Sequence, residues 1–127
     1  LIGRRHLRSN NSWMHNSARL VKGKPRHQLL MNPEDLLTRD LADGQLVQVT
    51  SAAGAIDVEV AASKDMMPGV VSLPHGFGHG RPGVLLSVAS KVAGASVNDV
   101  TDTGLSDTLA GTAALNGVPV KVTAASR

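Results

Sequence analysis

Cysteine is absent from the 127 residues, so disulfide staples, thiolate metal sites and iron–sulfur ligation within this segment are excluded. Aromatic rings are almost as scarce: Trp13 and Phe77 are the only ones besides histidine, and tyrosine is missing. Proteins that bind single-stranded nucleic acid stack successive bases on aromatic side chains, and two rings offer little for that. No apolar run approaches the roughly 18 residues of a membrane span, nor does a basic-then-apolar leader open the chain. These absences predict a soluble domain, placed in the cytoplasm. Acidic residues are missing from positions 1–33, which carry seven basic side chains, whereas the remainder holds six basic against ten acidic. The net charge of +3 therefore hides a basic amino-terminal end. Such a run can be a disordered arm. Trp13, Met14, Leu20, Leu29, Leu30 and Met31 lie within it, however, and predict an ordered segment that meets an anion.

What the chain does have is enough apolar material for one core: 42% of its residues are hydrophobic, and 127 residues suit a single domain over 1–127. It opens on Leu1-Ile2-Gly3-Arg4-Arg5, as if entering a strand already under way, and reads as a piece of a longer protein. Asn32-Pro33-Glu34-Asp35 is a helix start, with an Asn cap, Pro at the first turn and two carboxylates at the positive end. Leu36, Leu37 and Leu41 give that helix its buried side, and Asp43-Gly44 is its predicted end. The period then changes to two. Val47 and Val49, a turn at Ala53-Gly54, and Ile56, Val58 and Val60 predict a β-hairpin with one wet face. Residues 70–73 form another strand ended by Pro74, and Val118, Val120 and Val122 alternate in a strand that Pro119 assigns to an edge or a start. Between Pro74 and Gly117 lies a long Gly-, Ser-, Ala- and Thr-rich stretch, of a length that is usually functional or disordered. Several short strands with one or two short helices point to a barrel-like, mainly β domain.

Three polar clusters could carry chemistry. The first runs Arg4-Arg5-His6-Leu7-Arg8-Ser9-Asn10-Asn11-Ser12-Trp13-Met14-His15-Asn16. It is rich in donors that hold phosphate oxygens and base edges, and as composition it fits a polar surface loop equally well. The second is His75-Gly76-Phe77-Gly78-His79-Gly80. Its glycines let a ligand approach the main chain. They also make a helix that would bring the two histidines onto one metal improbable, with no third ligand close by, so no metal site is assigned. A tight loop with incidental histidines and a ligand-facing loop both remain open. In the third, Ser96-Val97-Asn98-Asp99-Val100-Thr101-Asp102, turn chemistry is the simpler reading and recognition of a base the other. Neither a Gly-x-Ser-x-Gly elbow nor a Rossmann glycine fingerprint frames these residues, and no catalytic residue is assigned.

Taken in order, these blocks resemble the carboxy-terminal domain of the dimethyl-sulfoxide-reductase family of molybdopterin oxidoreductases, which includes formate dehydrogenases and nitrate reductases. The resemblance runs from Gly3-Arg4-Arg5 and Arg8 to Asn16 through Met31-Asn32-Pro33-Glu34-Asp35, Leu41-Ala42-Asp43-Gly44, Val47-Gln48-Val49-Thr50-Ser51 and Pro68-Gly69-Val70-Val71. It continues through Leu73-Pro74-His75-Gly76 and Val97-Asn98-Asp99-Val100-Thr101 to the stretch from Ala114 to Val122. It implies a six-stranded double-psi β-barrel with short helices that buries a guanine dinucleotide arm of a bis-molybdopterin guanine dinucleotide cofactor carrying molybdenum or tungsten. The residues it assigns to cofactor binding are Arg5, Ser9, Asn10, Ser12, His15, Asn16, His75, Gly76, Asn98 and Asp99, with Asn32 left as a helix cap. The metal-ligating residue and any iron–sulfur cluster would lie in the remainder of a parent oxidoreductase chain, the implied partner; nucleic acid is not expected as one. The competing reading is a stand-alone basic β-barrel that binds nucleic acid or a protein partner.

Overall fold

The computed structural model describes residues 1–126. The predicted hairpin is its clearest element. Strands β3 (Leu46–Thr50) and β4 (Ala55–Ala62) pair antiparallel with Val49 opposite Ile56 and Val47 opposite Val58, and these four with Val60 are buried while Asp57 and Glu59 face water. Ser51 closes the turn: its Oγ accepts the amides of Ala53 at 3.0 Å and Gly54 at 3.3 Å.

Helix α2 (Pro33–Thr38) starts where the sequence places it, with Asn32 Oδ1 accepting the Glu34 amide at 2.8 Å. The Asn32 amide group donates to the Met66 carbonyl at 2.7 Å, so the cap also fastens the helix to the connection that leads into the fifth strand. The helix stops five residues before Asp43-Gly44. Asp40 turns left-handed (φ 53°), its N–H donates to Leu37 and that of Leu41 to Leu36, which satisfies the last carbonyls early. Asp43 instead accepts the Ala62 amide at 2.7 Å, anchoring a loop to β4.

Strand β5 (Val71–Pro74), buried at all four residues, begins one residue later than expected and includes Pro74. It lies between β1 (Ile2–Arg4), which it pairs in parallel, and β2 (Leu29–Met31), which it pairs antiparallel; β2 in turn runs parallel to β4. The last strand, β6 (Lys121–Ala124), pairs antiparallel with β3 and starts three residues after Val118. Helix α1 (Ala18–Val21) and two 3-10 turns, Ala89–Val92 and Val97–Val100, complete the regular structure among the described residues.

The architecture is therefore mainly β, a six-stranded mixed sheet ordered β1-β5-β2-β4-β3-β6 with a few short helices. One core holds it together, with Leu29, Val47, Val49, Val60, Leu73 and Val100 fully buried. The closed barrel is not reached in this ladder. Its two outer strands do not pair: beside them, Leu1 and Val118 exchange backbone hydrogen bonds of 2.7 and 3.1 Å, and the Gly3 amide donates to Asn116 Oδ1 at 2.8 Å. Arg4, the last residue of β1, is half-buried. Its guanidinium donates to the carbonyls of Ser72 at 2.5 Å and Gln28 at 2.6 Å, and loss of water around it pushes its pKa down to about 10.

Candidate functional site: a loop rim rich in buried donors

The first cluster is a compact run of turns. Ser9 N–H donates to His6, Met14 N–H to Ser9 and His15 N–H to Ser12, and Asn10 and Asn11 stand in the left-handed region (φ 41° and 60°). Asparagine tolerates that region better than most residues, which accounts for the pair. The coil turns two side chains inward. Ser9 is 1% exposed and His15 2%, and among the described residues neither the Ser9 hydroxyl nor His15 Nε2 has a hydrogen-bond partner. Arg4 Nε and His6 Nε2 are buried and unpartnered beside them in sequence. Burying such groups without a partner costs about 1–3 kcal/mol each, so four around one loop is a concentration that asks for a ligand.

The second cluster packs directly on the first. Gly76 (φ 91°) has no room for a side chain, since a Cβ would fall on the Asn11 carbonyl and the Ser12 amide. His75 lies over Gly3, where a Cβ would overlap its imidazole, and the Arg5 guanidinium is near enough to act on its charge. His15 Nδ1 is 2.8 Å from His79 Nε2, and its ring also meets Phe77 at a centroid distance of 4.4 Å. Phe77 leans in turn on His27 at 4.7 Å. Asn16 Oδ1 accepts the amides of Val88 at 2.9 Å and Ala89 at 3.2 Å, which pins the long loop to the first cluster.

The third cluster is reached only indirectly. Gly78 abuts Ser96 and donates its amide to Ala93, while Arg81 forms an ion pair with Asp99. Asn98 and Asp99 are exposed, and no hydrogen bond among the described residues runs from them to the first cluster. Their visible work is turn chemistry: the Asn98 amide donates to Ser96 Oγ at 3.3 Å, its carbonyl accepts from Thr101, and the Asp99 carbonyl abuts Gly54 in the β3–β4 turn. Contacts among the described residues thus join the first cluster to His75 and Gly76, and none joins Asn98 or Asp99 to it.

Sequence reasoning passed over a cavity of about 320 Å³ behind His15, lined by Lys24, Arg26, His27, Phe77 and Gly94 among others. Its size is at the lower end for small-molecule sites. The basic run was the available signal for Lys24 and Arg26; nothing in the sequence marked His27 or Phe77 as neighbours. His27 closes one wall, its Nε2 3.0 Å from the Ala95 amide and 2.9 Å from the Ala95 carbonyl. Among the described residues no group of three or more His, Asp or Glu side chains is placed to hold a metal.

Burial lowers the pKa of His6, His15, His27 and His75, and His79 lowers that of His15 further, so these rings favour the neutral form. The unfolded chain takes up protons at an ordinary histidine pKa of about 6.5 whereas the folded chain resists them, so stability is full above that pH and declines below it. The expected slope is up to about 1.4 kcal/mol per pH unit for each ring that stays neutral in the folded chain. Urea midpoints taken at intervals between about pH 7.5 and 5 measure it. A midpoint constant across that window would mean the rings protonate freely in place.

The sequence profile of the molydopterin dinucleotide binding domain matches residues 1–119. The chain is 28% identical over 122 residues to a subunit of the tetrathionate reductase of Salmonella typhimurium, covering 82% of this chain and 12% of that protein. The solved structure of acetylene hydratase from Pelobacter acetylenicus shares the fold, with a TM-score of 0.76 and 21% identity over 98% of this chain and 18% of that one. The chain therefore spans less than a fifth of either relative.

Proposed function

Because the chain belongs to the molydopterin dinucleotide binding domain family, and is thereby a domain that binds a molybdopterin cofactor, we propose that its loop rim holds the guanine dinucleotide arm of a bis-pterin molybdenum or tungsten cofactor within a larger oxidoreductase chain. The observation that carries the reading is the set of buried, unpartnered donors on the first cluster, Ser9 Oγ and His15 Nε2 above all. A pyrophosphate and a sugar offer the acceptors these groups lack, and the positive segment from Arg4 to Arg26 offers the opposite charge. Arg5, Ser9, Asn10, Ser12, His15, Asn16, His75 and Gly76 would hold the dinucleotide, with Lys24 and Arg26 adding charge from the cavity wall and Asn98 and Asp99 reading an outer edge. When bound, such a cofactor supplies two-electron redox chemistry at its metal. The residues of this chain bind, orient and exclude water. We infer a double-psi barrel as the completed fold, supported by the backbone hydrogen bonds between Leu1, just before β1, and Val118, just ahead of β6.

Ser9→Ala tests the assignment, because a hydroxyl kept for a ligand is a burden without it. The variant should be as stable as the parent chain or up to about 1 kcal/mol more so, while affinity for guanosine diphosphate, used as a probe of the pyrophosphate and base, falls about tenfold. Calorimetric titration and urea unfolding give the two numbers. Unchanged affinity would remove Ser9 from the site. Salt-sensitive binding of generic RNA by the unaltered chain, with no response to guanosine diphosphate, would favour the nucleic-acid reading instead.

A further inference from the structure

His79 is the second histidine of the glycine-rich loop, and its Nε2 lies 2.8 Å from His15 Nδ1 with the two rings nearly perpendicular, at 87°. A contact of that length between two ring nitrogens needs one proton between them. Either His15 Nδ1–H donates to His79, or His79 Nε2–H donates to His15. The two arrangements differ in what they leave at the other nitrogen of His15. A neutral imidazole carries hydrogen on one nitrogen only, so the first arrangement makes His15 Nε2 a bare acceptor and the second makes it a donor. Burial is the leading reason that His15 stays neutral, and the charge of a protonated His79 is the next; a backbone contact with Gly76 works against them, while Arg26 and His6 work with them. The tautomer of His15 therefore decides what the ring can bind.

Backbone, rather than its own ring, fixes where His79 stands. The amides of Gly78 and His79 both donate to the Ala93 carbonyl, at 2.8 and 3.1 Å. Gly78 (φ 109°) has Ser96 3.0 Å from where a Cβ would lie, and Gly80 has Ala93 at 3.3 Å, so the loop is packed on both sides of the histidine. Phe77 lies against the His15 ring at 4.4 Å and restricts its turning. His79 is only half-buried, and water can serve its other nitrogen, Nδ1, in either arrangement. His15 Nε2 has no such recourse, being buried and unpartnered on a ring that forms part of the wall of the 320 Å³ cavity.

We propose that His79 is a positioning residue for the dinucleotide site: its Nε2–H donates to His15 Nδ1 and so holds the His15 proton on Nε2, ready to donate to an oxygen of the bound dinucleotide. The inference rests on the reading that the first cluster holds such a ligand. A pyrophosphate oxygen can only accept, so the opposite tautomer would set two acceptors against each other. Neither ring gains or loses a proton when the ligand arrives. The donor is set in advance, and binding is relieved of reorganising the pair.

Nuclear magnetic resonance shifts of the ring nitrogens read the tautomer directly, in the unliganded chain at about pH 7.5, where an ordinary histidine is neutral. In the parent chain the His15 proton should be on Nε2. His79→Gln, whose side-chain amide can donate from nearly the same place, should keep it there, and His79→Ala should lose it to a mixture of the two forms. Affinity for guanosine diphosphate should fall about tenfold in His79→Ala and stay within about threefold of the parent in His79→Gln. A His79 that only supports the loop would lower the urea midpoint of the alanine variant and leave the tautomer unmoved, and that result would overturn the proposal. So would a parent chain with the His15 proton on Nδ1. Should the alanine variant fail to fold, the parent and glutamine spectra decide by themselves. Because the tautomer is read without ligand, a parent chain with the proton on Nε2 that ignores guanosine diphosphate would count against the cofactor reading and not against the hold of His79 on His15.

Discussion

Gly76→Ala is expected to lower stability by about 3 kcal/mol and to abolish measurable guanosine diphosphate binding. Two terms add. The residue stands at φ 91°, where a β-carbon is disfavoured by about 1 kcal/mol, and that carbon would lie 2.5 Å from the Asn11 carbonyl carbon and 2.9 Å from the Ser12 amide nitrogen. Backbone cannot swing aside as a side chain can, so the whole first cluster must move off the Gly76 loop. Gly111→Ala separates the terms: it also has positive φ (65°), but nothing lies within 4 Å of where its Cβ would be. That variant should cost only about 1 kcal/mol. Urea midpoints compare the two directly. Equal losses would mean that the contact between the loops contributes nothing.

Leu73→Ala should be comparably severe, at about 3–4 kcal/mol. Leu73 is fully buried on β5, the strand that joins β1 to β2, and it lies opposite Gly3, so no side chain from β1 is there to fill the space it leaves. A domain of this size has about 5–15 kcal/mol in total, so the loss is a large fraction of it. Leu37→Ala is the matched control, because Leu37, expected on the buried side of α2, is instead 80% exposed while Leu36 alone is buried there, and its truncation should stay within about 0.5 kcal/mol. A difference between the two variants below about 1 kcal/mol would show that β5 is not the centre of the core.

Local chemistry was the legible part of this fold. Valines at alternate positions located β3 and β4, and Asn32-Pro33 located the start of α2, because each signal acts over a few residues. The helix end was misread because Asp40 already turns left-handed four residues before Gly44, which is left-handed too (φ 79°), and aspartate signals that turn less plainly than glycine. Strand β2 was noticed only as apolar residues that should pack; three residues carry no period. Within the site, the polarity of the first cluster was legible, but not that Ser9 and His15 point inward while Asn10 points out. That division comes from the turns, which depend on Gly76 more than sixty residues away. Phe77 and His27 come together for the same reason: fifty residues of chain separate them, and only the sheet order joins them.

The parallel pairing of Ile2–Arg4 with Ser72–Pro74 has a kinetic meaning. As this stretch leaves a ribosome, β1 has no neighbour to bond until some seventy further residues have followed it, and Val118, which Leu1 bonds, follows later still. Contacts so distant along the chain demand costly loop closure before they return any stabilisation, which slows assembly. During synthesis β1 therefore waits unpaired, and the packing of the first cluster on the Gly76 loop is completed only after that loop has emerged.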